Sequence, residues 1–298
     1  MDGLISRIQR YSTRDGPGIR STVFAVGCNL SCKWCSNPEL LETGPKILYH
    51  AERCTRCGAC IARSSGAIRF GSKGCIIDRE KCSNLDECAA SCFYNAYEHI
   101  GTIINPEDLA AKLLRDKVFY DKSGGGVTFS GGEPVLQAEF FLETSKLLKK
   151  ESIHVALDTA GLYPWEVLAP LVEAVDLVLF DIKLFDTTLH ERYTGVGNSL
   201  ILENARLISE MKKPLIIRMI LAPGVNDSEE EIEKRLKFIR DLGSVRLDIL
   251  KYHRLGAGKY LAMGMQEPMG DTPECPDELA DRVLQKAISM GLSATVGG

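Results

Sequence analysis

Three thiols at Cx3Cx2C spacing, in Cys28-Asn-Leu-Ser-Cys32-Lys-Trp-Cys35, place the strongest constraint on this chain. A [4Fe–4S] cube takes four protein thiolates when it only carries electrons, so a tight run of three reserves one iron for a small molecule. The fold must then hold this loop at the edge of a ligand site. A zinc knuckle or three buried structural cysteines are the competing readings. Zinc sites, however, recruit four ligands in paired CxxC or HxxxH units, and no second pair adjoins the loop in the same register.

Ten of the 11 cysteines lie between Cys28 and Cys92. Disulfides explain this crowding poorly, because no signal peptide is read before Met1-Asp-Gly-Leu and no apolar run approaches the ~18 residues of a membrane span. Metal clusters in a reducing cytoplasm fit better. The expected localisation is cytoplasmic, with no membrane partner. A formal net charge of -4 gives no basic footprint, so nucleic acid is not an expected partner either. At 298 residues, 45% of them hydrophobic and 26% charged, the chain has room for two domains or for one barrel with an insertion.

Two textures divide the chain. Residues 46–99 are cysteine-rich and poor in periodic segments, whereas 1–45 and 100–298 alternate apolar runs with amphipathic stretches. In the second texture, strands are predicted near Thr22–Val26, Val127–Ser130, His154–Asp158, Asp176–Ile182, Leu215–Leu221 and Val245–Leu250. Several are continuous apolar runs, as parallel strands buried on both faces should be. Asn105-Pro106-Glu107-Asp108 offers an N-cap, a proline at the first helical position and acid in the first turn. Further helices are predicted at Ala138–Lys150, Pro164–Ala174, Leu202–Lys212, Ser228–Leu242 and Pro276–Met290.

This alternation predicts an α/β fold, a partial (β/α)6 TIM-like barrel with right-handed crossovers, interrupted by the 46–99 insertion. Polar residues cluster at the predicted strand ends: Gly27-Cys28, Ser130-Gly-Gly-Glu-Pro134, Asp158-Thr-Ala-Gly161, Asp181-Ile-Lys183, Arg218 before Pro223-Gly224, and Tyr252-His253. Reactive groups of barrel-like α/β folds gather at the carboxyl ends of the strands. A single site over the mouth of the partial barrel is therefore expected.

DGPGIR at 15–20, CNLSCKWCSN at 28–37, GGGVTFSGGEPVLQ at 124–137, DTAG at 158–161, DIK at 181–183 and KYHRLGAGKY at 251–260 together resemble the glycyl-radical-enzyme activases. These are the branch of the radical S-adenosylmethionine (SAM) enzymes typified by pyruvate formate-lyase activating enzyme. The resemblance spans nearly the whole chain, and the insertion makes it more similar to the larger activases. It implies reductive cleavage of SAM to a 5′-deoxyadenosyl radical, which takes a hydrogen atom from a glycine Cα of a partner enzyme. A flavodoxin- or ferredoxin-type reductant and a monomeric free state are implied as well. A radical SAM enzyme acting on a small molecule, and a non-catalytic iron–sulfur electron carrier, are the alternatives.

The same resemblance assigns roles. Cys28, Cys32 and Cys35 would hold the [4Fe–4S] cluster with its open iron, and with Asp181, Lys183 and His253 would form the catalytic set. Trp34 would pack on adenine, Asn37 would join the SAM site, and Gly131, Gly132 and Glu133 would receive the SAM amino group. Asp158, Thr159 and Asp181 would form a monovalent-cation site, while Lys183 and Arg218 would meet the SAM carboxylate or ribose side. His253 would lie in the loop that meets the partner. Each has a structural alternative: a core tryptophan, a glycine turn, helix N-caps, ion pairs with Asp181 or Glu133, and a structural histidine.

The insertion resembles a two-cluster ferredoxin with part of its ligand set missing. Cys54, Cys57 and Cys60 keep the C-x2-C-x2-C run, and Cys92 occupies the place of the fourth ligand, which the other motif supplies. That set implies one auxiliary [4Fe–4S] cluster. In the reciprocal set only Cys82 and Cys88 remain, because Ser64 and Leu85 stand where cysteines are expected. A second cluster would need Cys75 and an oxygen such as that of Ser64 to complete it. A zinc-stapled or vestigial insertion is the alternative, and Cys275 reads as an ordinary thiol.

Overall fold

The computed structural model describes residues 1–72 and 74–297. In chain order its strands are β1 (Gly3–Ser12), β2 (Arg20–Ala25), β3 (Lys46–Tyr49), β4 (Ile68–Gly71), β5 (Gly74–Ile77), β6 (Tyr97–Ile100) and β7 (Thr102–Ile104). Then follow β8 (Gly126–Gly131), β9 (His154–Thr159), β10 (Leu177–Asp181), β11 (Leu215–Leu221), β12 (Arg246–Lys251) and β13 (Ser293–Val296). Nine of these strands form one sheet in the order β13-β12-β11-β10-β9-β8-β2-β1-β7. From β2 to β13 every neighbouring pair is parallel, and only β1, against both β2 and β7, is antiparallel.

The predicted strands are all present, as the parallel centre of a partial α/β barrel. Three strands of this sheet were not predicted. β1 carries Arg7, Gln9 and Arg10, and its burial pattern is mixed. β7 and β13 are short, partly exposed edge strands, without the apolar runs that betray a buried strand.

Alternate strand residues serve two layers. Val178 and Phe180 face the helix layer and join the main core, whereas Leu177 and Leu179 meet Ala156 and Ile216 in a small separate cluster. Helix Ala138–Lys150 packs on the sheet through Phe141, whose ring lies tilted 4.6 Å from that of Phe129 on β8 and edge-on 4.9 Å from that of Phe140. The expected cap forms at helix Pro106–Leu114, where Asn105 Oδ1 accepts the Asp108 amide at 2.7 Å.

Residues between β2 and β7 build two small antiparallel sheets, β3 with β6 and β4 with β5. Ile47, Tyr49, Ile68, Ala89, Tyr97 and the buried cysteines Cys60, Cys82 and Cys88 form a hydrophobic cluster apart from the main core. Arg79 reaches back to the barrel side, donating to the carbonyls of Ile47 and Ala262. Among the described residues no helix is long and apolar enough to cross a membrane.

A buried arginine fixes two neighbouring strand ends. Arg235, on helix Glu229–Asp241, is fully buried and donates to the carbonyls of Ile220, Lys183 and Asn226. Its Nε lies 3.3 Å from Glu231, which in turn accepts the amides of Phe185 and Asp186. Removing one member of a buried pair strands the other charge, at about 3–5 kcal/mol. Arg235→Met should lower the stability measured by urea unfolding by about that amount. Lys234→Met, which breaks only the exposed pair with Glu230, should leave the unfolding midpoint unmoved.

Candidate active site

The loop after β2 is pinned from two sides. The amides of Gly27 and Cys28 donate to Leu40 and Leu41, while those of Ser31 and Lys33 donate to Thr194 and Tyr193 at the end of helix Thr187–Thr194. A third element closes over it: a Cβ on Gly256 would stand 2.7 Å from the Cys35 carbonyl oxygen, so the Tyr252–Tyr260 segment packs there only because that residue is glycine. Lys259 of the same segment donates to Asn37 Oδ1 and to the buried Glu39, both at 2.7 Å. Asn37 thereby serves the loop's anchoring while it also borders the cavity.

That cavity measures about 530 Å³. Cys28, Cys32 and Cys35 line it, together with Trp34, Asn37, Gly131, Gly132, Glu133, Asp158, Thr159, Asp181, Lys183, Arg218 and His253. No fourth cysteine lines it. Burial pushes the thiols of Cys28 and Cys32 up to about 12 and that of Cys35 up to about 11. Such thiols give up their protons to a soft cation rather than to water. Among the described residues no three His, Cys, Asp or Glu side chains are drawn together tightly enough for a single metal ion. Three spaced thiols on a cavity wall suit a larger cluster with one position open.

The strand ends carry a closed set of charges. Arg218 donates through Nε to Asp181 at 2.9 Å and through Nη2 to Asp158, and Lys183 donates to the other Asp181 oxygen at 2.9 Å. Burial alone would raise the Asp181 carboxyl, but Arg218 and Lys183 outweigh it and hold it down at about 2. Asp158 goes the other way, up to about 6, because burial exceeds the pull of Arg218 and Asp181 adds repulsion. The bland alternative for Lys183 and Arg218 thus holds in part: they pair with Asp181 and Asp158, and not with Glu133.

Glu133 is 1% exposed and accepts three hydrogen bonds, from Thr159 Oγ1 at 2.7 Å, the Ala160 amide at 2.9 Å and the Val135 amide at 3.2 Å. Burial nevertheless pushes its carboxyl up to about 7. Thr159 therefore turns toward Glu133 and Arg218 sits between the two aspartates. Asp158, Thr159 and Asp181, the expected cation trio, are here engaged in ion pairing and hydrogen bonding. The Gly131–Gly132 step also answers to the backbone around it. A Cβ at Gly131 would lie 2.5 Å from the Ala25 amide nitrogen, and one at Gly132 would lie 2.1 Å from the Gly27 oxygen. Close approach of β2 to Gly131, and of the loop after β2 to Gly132, requires these glycines, and both also line the cavity.

The family model for the Radical SAM superfamily matches residues 22–239, from within β2 into the helix before β12. The chain belongs to the radical SAM superfamily. It is 36% identical over 301 residues to the isethionate sulfite-lyase activating enzyme of Desulfovibrio desulfuricans, covering 98% of this chain and 93% of that one. It is 40% identical over 264 residues to the trans-4-hydroxy-L-proline dehydratase activating enzyme of Clostridioides difficile, covering 87% of each. A radical SAM methyltransferase from Sphaerobacter thermophilus shares the fold, with a TM-score of 0.57 at 14% identity over 98% of this chain and 76% of that one. Membership implies a [4Fe–4S] cluster and SAM, and three thiols with no fourth on the wall of one cavity fit that pair.

Several lining residues of this radical SAM site escaped the sequence reading. Gln9, Tyr11, Thr13, Arg14 and Asp15 reach the cavity from β1 and the turn after it. The DGPGIR string was the available signal, and the structure gives it a job. Asp15 accepts from Thr22 Oγ1 at 2.7 Å and from Ser12. The wholly buried Arg20 donates to Thr128 Oγ1, Val127 O and Pro17 O. Trp34 is 5% exposed and stacks on Tyr193 at 6.1 Å, so it belongs to the core and to the cavity wall at once. His253 stands at the rim, its Nδ1 accepting the Leu255 amide at 3.3 Å.

The insertion thiols fall into two groups. Cys54, Cys57, Cys60 and Cys92 line a second, much smaller cavity, and Cys75 lines it too. Cys82 and Cys88 stand apart, each with its sulfur 3.9 Å from Asn84 Oδ1. Cys75 and Ser64, expected to complete a set with Cys82 and Cys88, are engaged elsewhere. Cys75 faces the other cavity, and Ser64 Oγ is held by the Ile61 carbonyl and the Ile68 amide.

Glu133 makes the active-site electrostatics measurable. Its carboxyl is raised from 4.5 to about 7 in the fold, so the folded state binds the proton more tightly than the unfolded chain does. This contribution to stability is fully present below about pH 4.5 and is lost as pH rises through about 7. The difference corresponds to about 3 kcal/mol. Urea unfolding of the iron-free protein should show stability falling between pH 5 and 7, and Glu133→Gln, whatever its fixed offset, should flatten that part of the profile. An unchanged slope in the variant would remove Glu133 as the cause.

Proposed function

We propose that this chain activates a glycyl-radical enzyme, forming a glycyl radical on a separate partner protein. The observation that carries the reading is the meeting of three thiols with the strand-end charges in one cavity, in a chain whose relatives at 34–40% identity are activating enzymes. When bound, the cluster and SAM supply an electron and a cleavable carbon–sulfur bond, giving a 5′-deoxyadenosyl radical that takes a hydrogen atom from a glycine Cα.

The chain's own residues position and shield. Cys28, Cys32 and Cys35 would hold the cluster as thiolates and leave one position open for SAM. Glu133 keeps acceptor capacity beyond its three protein donors, and with the Gly131–Gly132 backbone it receives the ammonium. Lys183 and Arg218 offer positive charge to the carboxylate while Asp181 and Asp158 keep both cations compensated. A monovalent cation would first have to displace Arg218 from one aspartate, so it is not part of this reading. Trp34 borders the adenine and Asn37 steadies the loop. His253, at the rim beside the exposed Leu255, faces the partner's glycine loop. A walled cavity excludes water from a radical that would otherwise be quenched.

The insertion, residues 46–99, is read as a ferredoxin-like unit. Cys54, Cys57, Cys60 and Cys92 hold one auxiliary [4Fe–4S] cluster, and Cys82 with Cys88 lacks the thiols for a second. Cys57 is exposed, which suits electron entry from a flavodoxin- or ferredoxin-type reductant. The free enzyme is read as a cytoplasmic monomer.

Anaerobic incubation with the partner, SAM and a reductant should give a glycyl radical doublet by electron paramagnetic resonance. The Cys28/Cys32/Cys35 triple alanine variant should lack the doublet and lose about four irons. Methionine and deoxyadenosine formed without any doublet would point to another hydrogen donor and sink the assignment.

A further inference from the structure

Five thiols line the second cavity, one more than a [4Fe–4S] cube takes from its protein. Cys54, Cys57 and Cys60 come from the loop and the short helix Ala59–Arg63, and Cys92 from the far end of the insertion. The fifth, Cys75, comes from β5, and its position is built rather than incidental. Cys75 pairs with Phe70 across the β4–β5 hairpin, and its amide donates to the Tyr49 hydroxyl of β3 at 2.7 Å. Its Sγ lies 4.0 Å from Cys60 Sγ.

That separation is short enough for both sulfurs to reach one metal ion. Two sulfurs on one tetrahedral metal, with bonds of about 2.3 Å, stand roughly 3.8 Å apart. Thiolates on different irons of a cube stand farther apart, because an iron–iron edge separates them as well. The Cys60–Cys75 spacing therefore suits two thiols that can each address the same iron. Register with Cys54 and Cys57 makes Cys60 the resting choice.

We propose that Cys60 and Cys75 are interchangeable ligands to one iron of the auxiliary cluster, with Cys75 held in reserve; this rests on the auxiliary-cluster reading given above. The exchange is a ligand substitution. The iron–sulfur bond to Cys60 breaks, the bond to Cys75 forms, and the proton of the Cys75 thiol passes to the departing Cys60 sulfur. No iron changes oxidation state. The consequence is a cluster that survives loss or modification of one of its own ligands.

The test uses the full chain, reconstituted anaerobically with iron and sulfide, as wild type, Cys60→Ala, Cys75→Ala and the double variant. Iron and sulfide per chain are measured, together with the electron paramagnetic resonance spectrum after dithionite reduction. Wild type and both single variants should hold about eight irons, and the double variant, left with three thiols at that cluster, should show an auxiliary signal unlike that of either single variant. Cys75→Ala should keep the wild-type auxiliary signal, and Cys60→Ala should retain a signal with shifted g values. The irons at Cys28, Cys32 and Cys35 report in every variant that the barrel has folded. Loss of about four irons from Cys60→Ala alone, or an auxiliary signal of Cys60→Ala identical to that of the double variant, overturns the exchange. A wild type with only about four irons overturns the auxiliary-cluster reading itself, so the two failures are distinguishable.

Discussion

Asp158, Asp181 and Arg218 stand on three adjacent parallel strands, and the guanidinium of the last joins the carboxylates of the first two. The rest of the site depends on this bridge. Each of the three would be costly in the barrel interior alone, because a buried charge without a partner costs several kcal/mol. The bridge forms only in one register, with Asp181 beside Arg218 on β11 and Asp158 beside Leu179 on β10. A slip of one residue would turn the charged side chains toward the helix layer and the apolar ones into the cavity. Strand register and active-site electrostatics are therefore one property of the sheet, and Arg235 fixes the same strand ends from outside by holding the carbonyls of Lys183 and Ile220.

Much of the barrel was legible because burial on both faces leaves a plain mark. Runs such as Leu215–Leu221 have few polar residues, so Arg218 stands out as a residue with a purpose. The strands that escaped notice, β1, β7 and β13, each face solvent along part of their length and mix polar with apolar residues. Helix Thr187–Thr194 is similarly polar, and helix Ala257–Ala262 has only six residues, too few for a period to show. Which residues gather at the site could be inferred from strand ends alone. Which partner each one takes could not, since Thr159 bonding to Glu133 and Arg218 reaching Asp158 are products of strand packing. Gly131 and Gly132 make the same point: the string suggested room for a ligand, and the backbone of β2 and of the loop after it independently demands glycine there.

The insertion divides in the same way. Spacing alone grouped Cys54, Cys57 and Cys60 with the distant Cys92, since the ligand exchange between two ferredoxin motifs is a rule of sequence order. No spacing rule places Cys75. Its arrival at the same cavity follows from the β4–β5 hairpin and from Tyr49, which holds the hairpin against β3.

Charge balance explains why Glu133 differs from its neighbours. Asp158 and Asp181 are matched by Arg218 and Lys183, so these four side chains sum to zero and act chiefly as fixed dipoles. Glu133 accepts only from a neutral hydroxyl and two amides. Hydrogen bonds alone do not offset its desolvation, which is why its carboxyl rises to about 7 while Asp181, nearby but beside two cations, falls to about 2. A ligand bringing one positive charge into this cavity therefore gains most at Glu133, where it stabilises an anion the protein leaves uncompensated. A ligand carrying only negative charge meets cations already engaged and must compete with Asp158 and Asp181 for them. The cavity thus favours a molecule that brings its positive charge to the β8 end, beside Glu133.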